Sequence, residues 1–321
     1  MNVVVTGAAG FIGSHLSEAL CASGHRVLGV DSVNDYYDPA EKRRNLRVLA
    51  QLPGFRFEEL DLRTADLRSV LDGASVVFHQ AGQPGVRMSW GAGFGDYCEH
   101  NIKATQRLLE AAKAVATPRF VYASSSSVYG NATSYPTWET DLPSPNSPYG
   151  VTKLAAEHLC ALYTANWGLP TVSLRYFTVY GPRQRPDMAI RRLADAAVTG
   201  TPFQLFGDGR QVRDFTFVSD VVSANLAAGV GDVPPGTVVN IAGGSHAVMA
   251  DLIELVGELA GAPVDCRRNP REAGDVQQTG GAIDRAYELM GWEPRVSLRE
   301  GLAAQVDWSR SILLAPAVPV A

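Results

Sequence analysis

Tyr149 and Lys153 stand four residues apart in the run Ser147-Pro148-Tyr149-Gly150-Val151-Thr152-Lys153. Pro148 suits the first position of a helix, which would put the phenol and the ammonium one turn apart on the same face. A free tyrosine titrates near pH ~10, and a neighbouring positive charge favours its ionised form. Such a phenolate can take a proton from a substrate hydroxyl at neutral pH. The chain has eleven tyrosines, and an ordinary surface helix with an exposed lysine would read the same way. The meaning of the pair therefore depends on what accompanies it.

Two other stretches carry chemistry. Ser124, Ser125, Ser126 and Ser127 follow the strand-like Phe120–Ala123, and ligands bind at the carboxyl ends of parallel strands. A serine there is either turn chemistry or a hydroxyl that relays a proton between a substrate and Tyr149. No Asp or Glu lies between Ser124 and Tyr129, so this loop offers no carboxylic acid for an elimination step. Near the N-terminus, Gly7, Gly10 and Gly13 are spaced by three between the strand-like Val3–Thr6 and the helical Phe11–Cys21. Such glycines permit a tight turn, close approach to a pyrophosphate and close helix packing, with the phosphate at the helix N-terminus. Asp31 comes 18 residues after Gly13, where a carboxylate can bind the adenosine ribose diol and repel a 2′-phosphate. NAD is thus expected in preference to NADP.

Positioning these groups requires alternating elements. Val3–Thr6, Arg26–Val30, Arg56–Glu59, Ser75–Phe78, Phe120–Ala123 and Thr171–Arg175 read as strands, and Phe11–Cys21, Pro39–Leu49, Leu62–Leu71, Tyr97–Ala114 and Pro148–Asn166 as helices. Apolar strands separated by helices predict an α/β fold, a doubly wound parallel sheet covered on both faces. Asp61-Leu62 after the third strand either meets an adenine amino group or caps the next helix. His79-Gln80-Ala81-Gly82 after the fourth suits close passage of a cofactor, His79 itself reading as a packed core residue. Asn101 is a candidate bridge between loops. Beyond Gly181, Phe203–Phe206 and a segment starting at Arg213 read as strands, and Val238–Ile241 is expected to return to the main sheet. The organisation expected is a Rossmann domain over 1–180, with returning segments near 213–242, and a smaller mixed α/β substrate lobe over 181–321, interleaved with it.

Bulk properties narrow the partners. A net charge of −5 and a pI near 5.7 argue against a nucleic-acid binder. The four cysteines are scattered without metal-ligand spacing, as in a reducing compartment, and no metal is expected. The chain starts directly in a strand, and no apolar run approaches the ~18 residues of a membrane span. A cytoplasmic protein without membrane contact is expected.

Taken together, Gly7/Gly10/Gly13, Asp31, the serine loop and Tyr149/Lys153 resemble the extended short-chain dehydrogenase/reductase superfamily of nucleotide-sugar epimerases and dehydratases, along nearly the whole chain. Four further stretches look like those of UDP-glucuronate 4-epimerases: Asp31-Ser32-Val33-Asn34-Asp35-Tyr36-Tyr37-Asp38-Pro39, Gly85-Val86-Arg87-Met88-Ser89, Tyr176-Phe177-Thr178-Val179-Tyr180-Gly181-Pro182 and Arg185-Pro186-Asp187-Met188. Ser32 replaces a frequent Asn, and Gln80-Ala81-Gly82-Gln83-Pro84 replaces a more usual Leu-Ala-Ala-Gln-Ala; both departures are conservative. The resemblance implies bound NAD and a catalytic set of Tyr149, Lys153 and Ser125. It implies cofactor contacts from Gly7, Gly10, Phe11, Ile12, Gly13, Asp31, Asn34, Asp61, Leu62, Gln80, Ala81, Gly82, Asn101, Tyr149, Lys153 and Tyr176. For a UDP-sugar it implies Arg213 and Arg271 at the diphosphate, completed by Arg87, with Asp275 near the ribose and Gln204 and Phe206 also in the substrate site. Homodimerisation through helices like Tyr97–Ala114 and Pro148–Asn166 is common in the superfamily.

Within that resemblance, dehydratases carry an Asp-Glu pair at the positions of Ser126 and Ser127, and decarboxylases tend to carry Glu in this loop. Arg185 is expected at the C6 end of the sugar, where a guanidinium suits a uronic carboxylate, helped by Ser126, Ser127 and Thr178. A neutral hexose would leave Arg185 unpaired, a costly state when buried. The function implied is reversible C4 epimerisation of UDP-glucuronate to UDP-galacturonate. UDP-glucose 4-epimerase, UDP-glucuronate decarboxylase and a non-catalytic NAD-binding regulator are the alternatives.

Overall fold

The computed structural model describes residues 1–270 and 274–314. Its main sheet is parallel, with strand order β10-β6-β5-β4-β1-β2-β3. These strands are β1 (Asn2–Thr6), β2 (Arg26–Asp31), β3 (Phe55–Glu59), β4 (Val76–His79), β5 (Phe120–Ser125), β6 (Thr171–Tyr176) and β10 (Thr237–Ile241). Their apolar runs serve both faces at once. Val3 and Val5 of β1 enter one hydrophobic cluster with Val76 and Phe78 of β4, while Val4 and Val77 enter the cluster on the opposite face. The six strands expected from the sequence all form, and 237–241 returns to pair with β6 in parallel.

Helices α1 (Phe11–Ala22), α2 (Pro39–Leu49), α3 (Leu67–Leu71), α4 (Phe94–Tyr97), α5 (Ala104–Ala114) and α6 (Pro148–Trp167) fall within this Rossmann-like part, and α8 (Val218–Val230) packs on α1. Local chemistry sets their ends. Ser147 caps α6 by accepting the Gly150 N–H at 3.1 Å, Pro148 opens it, and Gly168 closes it at φ 68°. Asp38 and Pro39 do the same for the start of α2.

Two helices depart from expectation. The helix expected from Leu62 begins at Leu67, because Asp61 draws the Arg63 N–H into its own turn and Asp66 then caps α3 through Arg68 N–H. Short acids that bond nearby backbone compete in this way with helix. The run expected over Tyr97–Ala114 starts earlier, with α4, and contains a π-helical turn over Cys98–Lys103 before α5. Asn101 sits inside that turn.

A smaller part follows. β7 (Thr178–Tyr180), β9 (Val212–Phe217) and β11 (His246–Val248) form a three-stranded sheet in the order β11-β9-β7; β8 (Phe203–Phe206) pairs with β12 (Cys266–Asn269). The segment starting at Arg213, read as a strand, forms β9 in this second sheet. There β9 pairs in parallel with β7, a strand that belongs to the first 180 residues. Helices α7 (Ala189–Thr199), α9 (Met249–Ala260) and α11 (Leu298–Leu313) close a separate core around Leu193, Phe203, Leu252 and Val306, and α10 (Asp284–Met290) returns toward β10.

Candidate active site

The crevice opens at the carboxyl ends of β1 and β4, where the strand order reverses direction, the place where such sheets take ligands. Gly7 there has φ +73°, and a Cβ on it would lie 2.7 Å from the Ala81 backbone N. A Cβ on Gly13 would lie 2.1 Å from the Gly7 carbonyl O, so α1 can approach the turn only as glycine. No side chain caps α1, which leaves its first amides to an anion. Asp31 accepts the Val33 N–H at 2.8 Å and the Ala9 N–H at 3.1 Å. Burial pushes its carboxyl up, and those two bonds and Lys42 pull it down.

A continuous cavity runs from this turn to Tyr149 and Arg185. Of the residues expected at the cofactor, all but Asn101 line it. Asn101 stands behind the wall. Its amide exchanges hydrogen bonds with the Gln83 backbone at 2.6 and 3.0 Å and donates to Thr152 Oγ1 at 3.0 Å. It thus fastens the Gln80–Pro84 loop to α6, as a bridge. Asp61 lines the cavity too, but bonds Arg63 through both oxygens and caps no helix. His79 is fully buried between Thr6 and Thr105, at 2.8 and 2.9 Å, and burial pushes its imidazole down to about 3. It is a neutral core group.

At the reactive end, the Ser125 hydroxyl and the Arg185 guanidinium both act on the Tyr149 phenol. Burial raises that phenol above the ordinary value, and Ser125 and Arg185 oppose that rise. Lys153 is pushed down to about 8 by burial, and its Nζ lies 4.6 Å from the Tyr122 ring centroid. Ser125 also accepts the Ser127 N–H at 3.1 Å, fixing the turn that carries Ser126 and Ser127. α6 meets this turn at Gly150, where a Cβ would lie 2.5 Å from Ser127 O. Thr178 opens β7, half-buried. Arg185 is bound through both nitrogens to Asp187, at 3.0 and 3.1 Å. A neutral ligand would therefore not leave a bare guanidinium, contrary to the expectation that a neutral hexose leaves Arg185 unpaired.

A second group of expected residues gathers beside β8. Arg87 lies 4.1 Å over the Phe206 ring and 3.5 Å from Asp275. Gln204 shares the Phe206 face and accepts from Asn269 at 3.0 Å. Arg213 donates to the carbonyls of Val276, Val212 and Gln277, at 2.6, 3.0 and 3.2 Å, so part of its role is to hold that segment. Arg271 lies outside the described residues.

Sequence reasoning missed several neighbours. Tyr36, Tyr37 and Lys42 line the cavity, and Lys42 donates to Asn34 Oδ1 at 2.5 Å and stacks on Tyr37 at 4.7 Å. The Asn-Asp-Tyr-Tyr-Asp-Pro run signalled the two tyrosines only as a family marker, and Lys42 lies beyond it. Asn225 accepts from both Tyr176 and Gln80 at 2.9 Å, from a helix with no sequence cue. Arg192 stands 5.6 Å over Phe206. Among the described residues, no cluster of His, Cys, Asp and Glu could hold a metal ion, and no helix is long and apolar enough to cross a membrane.

Comparison with known proteins adds three findings. The sequence profile of the NAD dependent epimerase/dehydratase family matches residues 3–242. A protein of Bacillus subtilis described as an uncharacterized UDP-glucose epimerase, YtcB, is 43% identical over 97% of this chain and 99% of its own; a UDP-glucuronate 4-epimerase of Thermodesulfobacterium geofontis is 37% identical over 96% and 95%. The crystal structure of UDP-glucuronic acid 4-epimerase from Bacillus cereus, in complex with UDP-glucuronic acid and NAD, superposes with a TM-score of 0.94 at 42% identity, covering 97% of this chain and all of that one.

Proposed function

This chain belongs to the NAD dependent epimerase/dehydratase family, and on that premise we propose that it interconverts UDP-glucuronate and UDP-galacturonate at C4. The observation that carries this is that Tyr149 and Arg185 line the same end of the cavity, with Ser125 acting on the Tyr149 phenol, beside a serine turn that contains no acid.

The chain's residues fit NAD. The glycine turn has no room for a Cβ at Gly7 or Gly13, and Asp31 presents a carboxylate to the cavity. Gly7, Gly10 and Gly13 would hold its pyrophosphate, Asp31 its adenosine ribose, and Tyr149, Lys153 and Tyr176 the nicotinamide end. When bound, NAD would supply the hydride acceptor for oxidation at the sugar C4 and the donor for its reduction from the opposite face. Tyr149 Oη takes the C4 hydroxyl proton, directly or through Ser125 Oγ, and returns it to the product. The 4-keto sugar turns over in the pocket between the two events. It is a β-keto acid at that stage. Arg185, with Thr178, Ser126 and Ser127, holds its carboxylate out of the alignment that loss of carbon dioxide requires. Arg87, Phe206, Asp275, Gln204 and Arg213 are assigned to the UDP moiety.

We further take residues 1–180, with 237–241, as the NAD lobe and most of 181–321 as the substrate lobe. The chain is proposed to act as a cytoplasmic homodimer; half-exposed Val151, Leu162 and Trp167 along α6 support a helical contact. A second reading, UDP-glucose 4-epimerase, is favoured by the Arg185–Asp187 pair, which leaves no bare charge beside a neutral sugar. Incubating purified protein with UDP-glucuronate or UDP-glucose, without added reductant, and identifying the products by sugar NMR separates the two. Turnover of UDP-glucose alone, or a pentose product, overturns the first reading.

A further inference from the structure

Beneath the reactive residues lies a buried carboxylate that makes no contact with the cavity. Glu157 follows Lys153 by one turn of α6 and Tyr149 by two, with its side chain only 4% exposed. Its Oε2 accepts Ser124 Oγ at 2.6 Å and Arg175 Nε at 3.0 Å, and its Oε1 accepts Arg175 Nη2 at 2.6 Å. Ser124 immediately precedes Ser125 on β5, so this one side chain ties the helix of Tyr149 to the strand of Ser125. Arg175 extends the tie to the far end of the serine turn. Its Nη1 donates to Tyr129 Oη at 2.7 Å, Tyr129 donates to Asn240 Oδ1 at 2.7 Å, and the Asn240 N–H donates to Glu139 at 2.8 Å.

Stability alone does not account for such a pair, since a buried ion pair replaced by well-packed apolar groups is often neutral or stabilising. A fully satisfied buried network fixes geometry instead. We propose that Glu157 is a positioning residue for the C4 epimerisation: clamped by Arg175, its carboxylate sets Ser124 so that Ser125 meets Tyr149, and it supplies the negative charge that faces Lys153. The inference rests on the epimerase reading of the site.

The surroundings of Lys153 bear this out. On its own helix it meets Glu157 and Cys160, with Tyr149 one turn before it; from β5 comes Tyr122, and from β4 His79. Burial pushes the Tyr122 phenol and the Cys160 thiol up and the His79 imidazole down, so none of these three carries charge at neutral pH. Among the described residues, Glu157 is the negative neighbour that opposes the effect of burial on the ammonium. Cys160 would act on Lys153 in the same direction only as a thiolate.

The test uses the holoenzyme. Glu157→Gln strands Arg175 and endangers the fold, so the deciding variant is Glu157→Gln with Arg175→Met, which removes both charges. The chain has four lysines, Lys42, Lys103, Lys113 and Lys153, so ¹³Cε-lysine labelling, with Lys153→Met for assignment, resolves the Lys153 titration. In the double variant, kcat for UDP-glucuronate should fall about 100-fold, the effect of a ~1 Å misplacement, with KM within about twofold. Lys153 should titrate about one unit below its wild-type value, since a stabilising opposite charge has gone. Ser124→Ala should lower kcat while leaving the Lys153 titration in place. A folded double variant with wild-type kcat and wild-type Lys153 titration overturns the proposal. Failure of the wild-type protein to turn over UDP-glucuronate refutes the epimerase reading instead. The lysine titration needs no substrate and still decides whether Glu157 governs Lys153.

Discussion

Replacing Arg185 with alanine tests the recognition of a uronic acid most directly. Hydrogen bonds to charged groups contribute about 1.5–3 kcal/mol, so loss of the guanidinium removes roughly that from binding of a C6 carboxylate. Asp187 is left behind, and its side chain is 43% exposed; solvent screens its repulsion of the substrate to about 1 kcal/mol or less. The sum, about 2–4 kcal/mol, corresponds to a loss of about 30- to 1,000-fold in kcat/KM for UDP-glucuronate. UDP-glucose, which has no carboxylate, should change by no more than about threefold, within the reach of small packing differences. Removing Asp187 as well should recover up to about fivefold for UDP-glucuronate, the screened repulsion alone. Arg185 also lowers the proton affinity of Tyr149. Its loss raises the phenol further, so the rise of activity with pH that reports Tyr149 ionisation should move to higher pH. The assay is product formation from each nucleotide sugar by proton NMR across a pH series. An unchanged ratio of kcat/KM between the two sugars would refute the assignment of Arg185.

Tyr149→Phe should nearly abolish turnover while bound NAD stays with the purified protein; retained activity would put the base elsewhere. Gly13→Ala places a Cβ 2.1 Å from Gly7 O, backbone against backbone, and should destabilise by about 1–3 kcal/mol and weaken NAD binding. Gly95→Ala, with nothing within 4 Å, is the neutral control, and Tm with and without NAD reads both. His79 has a folded value of about 3 against 6.5 when unfolded. The unfolded chain therefore takes up the proton first as pH falls, and this group's contribution is present above pH 6.5 and lost progressively toward pH 3. By pH 5 the loss is about 2 kcal/mol. His79→Gln, which keeps partners for Thr6 and Thr105, should shrink the difference in urea midpoint between pH 7 and pH 5; an unshrunk difference would show that His79 is not the group responsible.

Most of the architecture could be read before any coordinates because the deciding forces were local. Val3 to Val5 alternate between two buried faces, Pro148 and Ser147 start α6, and Gly7 and Gly13 stand where no other residue fits. What could not be read depended on contacts distant in sequence. Asn101 lines nothing, because the π turn swings its amide onto Gln83 and Thr152. Arg185 meets Asp187 two residues on, a pairing the sequence permits but does not announce. Arg175 of β6 belongs to a buried network whose partner Glu157 lies 18 residues earlier, a pairing that no local pattern shows.

The return of β10 to the main sheet bears on how the chain is made. Until residues 237–241 leave the ribosome, β6 is an open edge, with the backbone groups that later pair with β10 unsatisfied. Asn240 arrives on that same strand, so until then Tyr129 also lacks the acceptor that completes the Arg175 network. An apolar, unpaired edge strand is a template for other chains. The nascent enzyme is thus most exposed to aggregation over the roughly 60 residues of synthesis between β6 and β10. A truncation ending before Thr237 would retain the glycine turn, Asp31, Tyr149 and Lys153, yet leave that edge permanently bare.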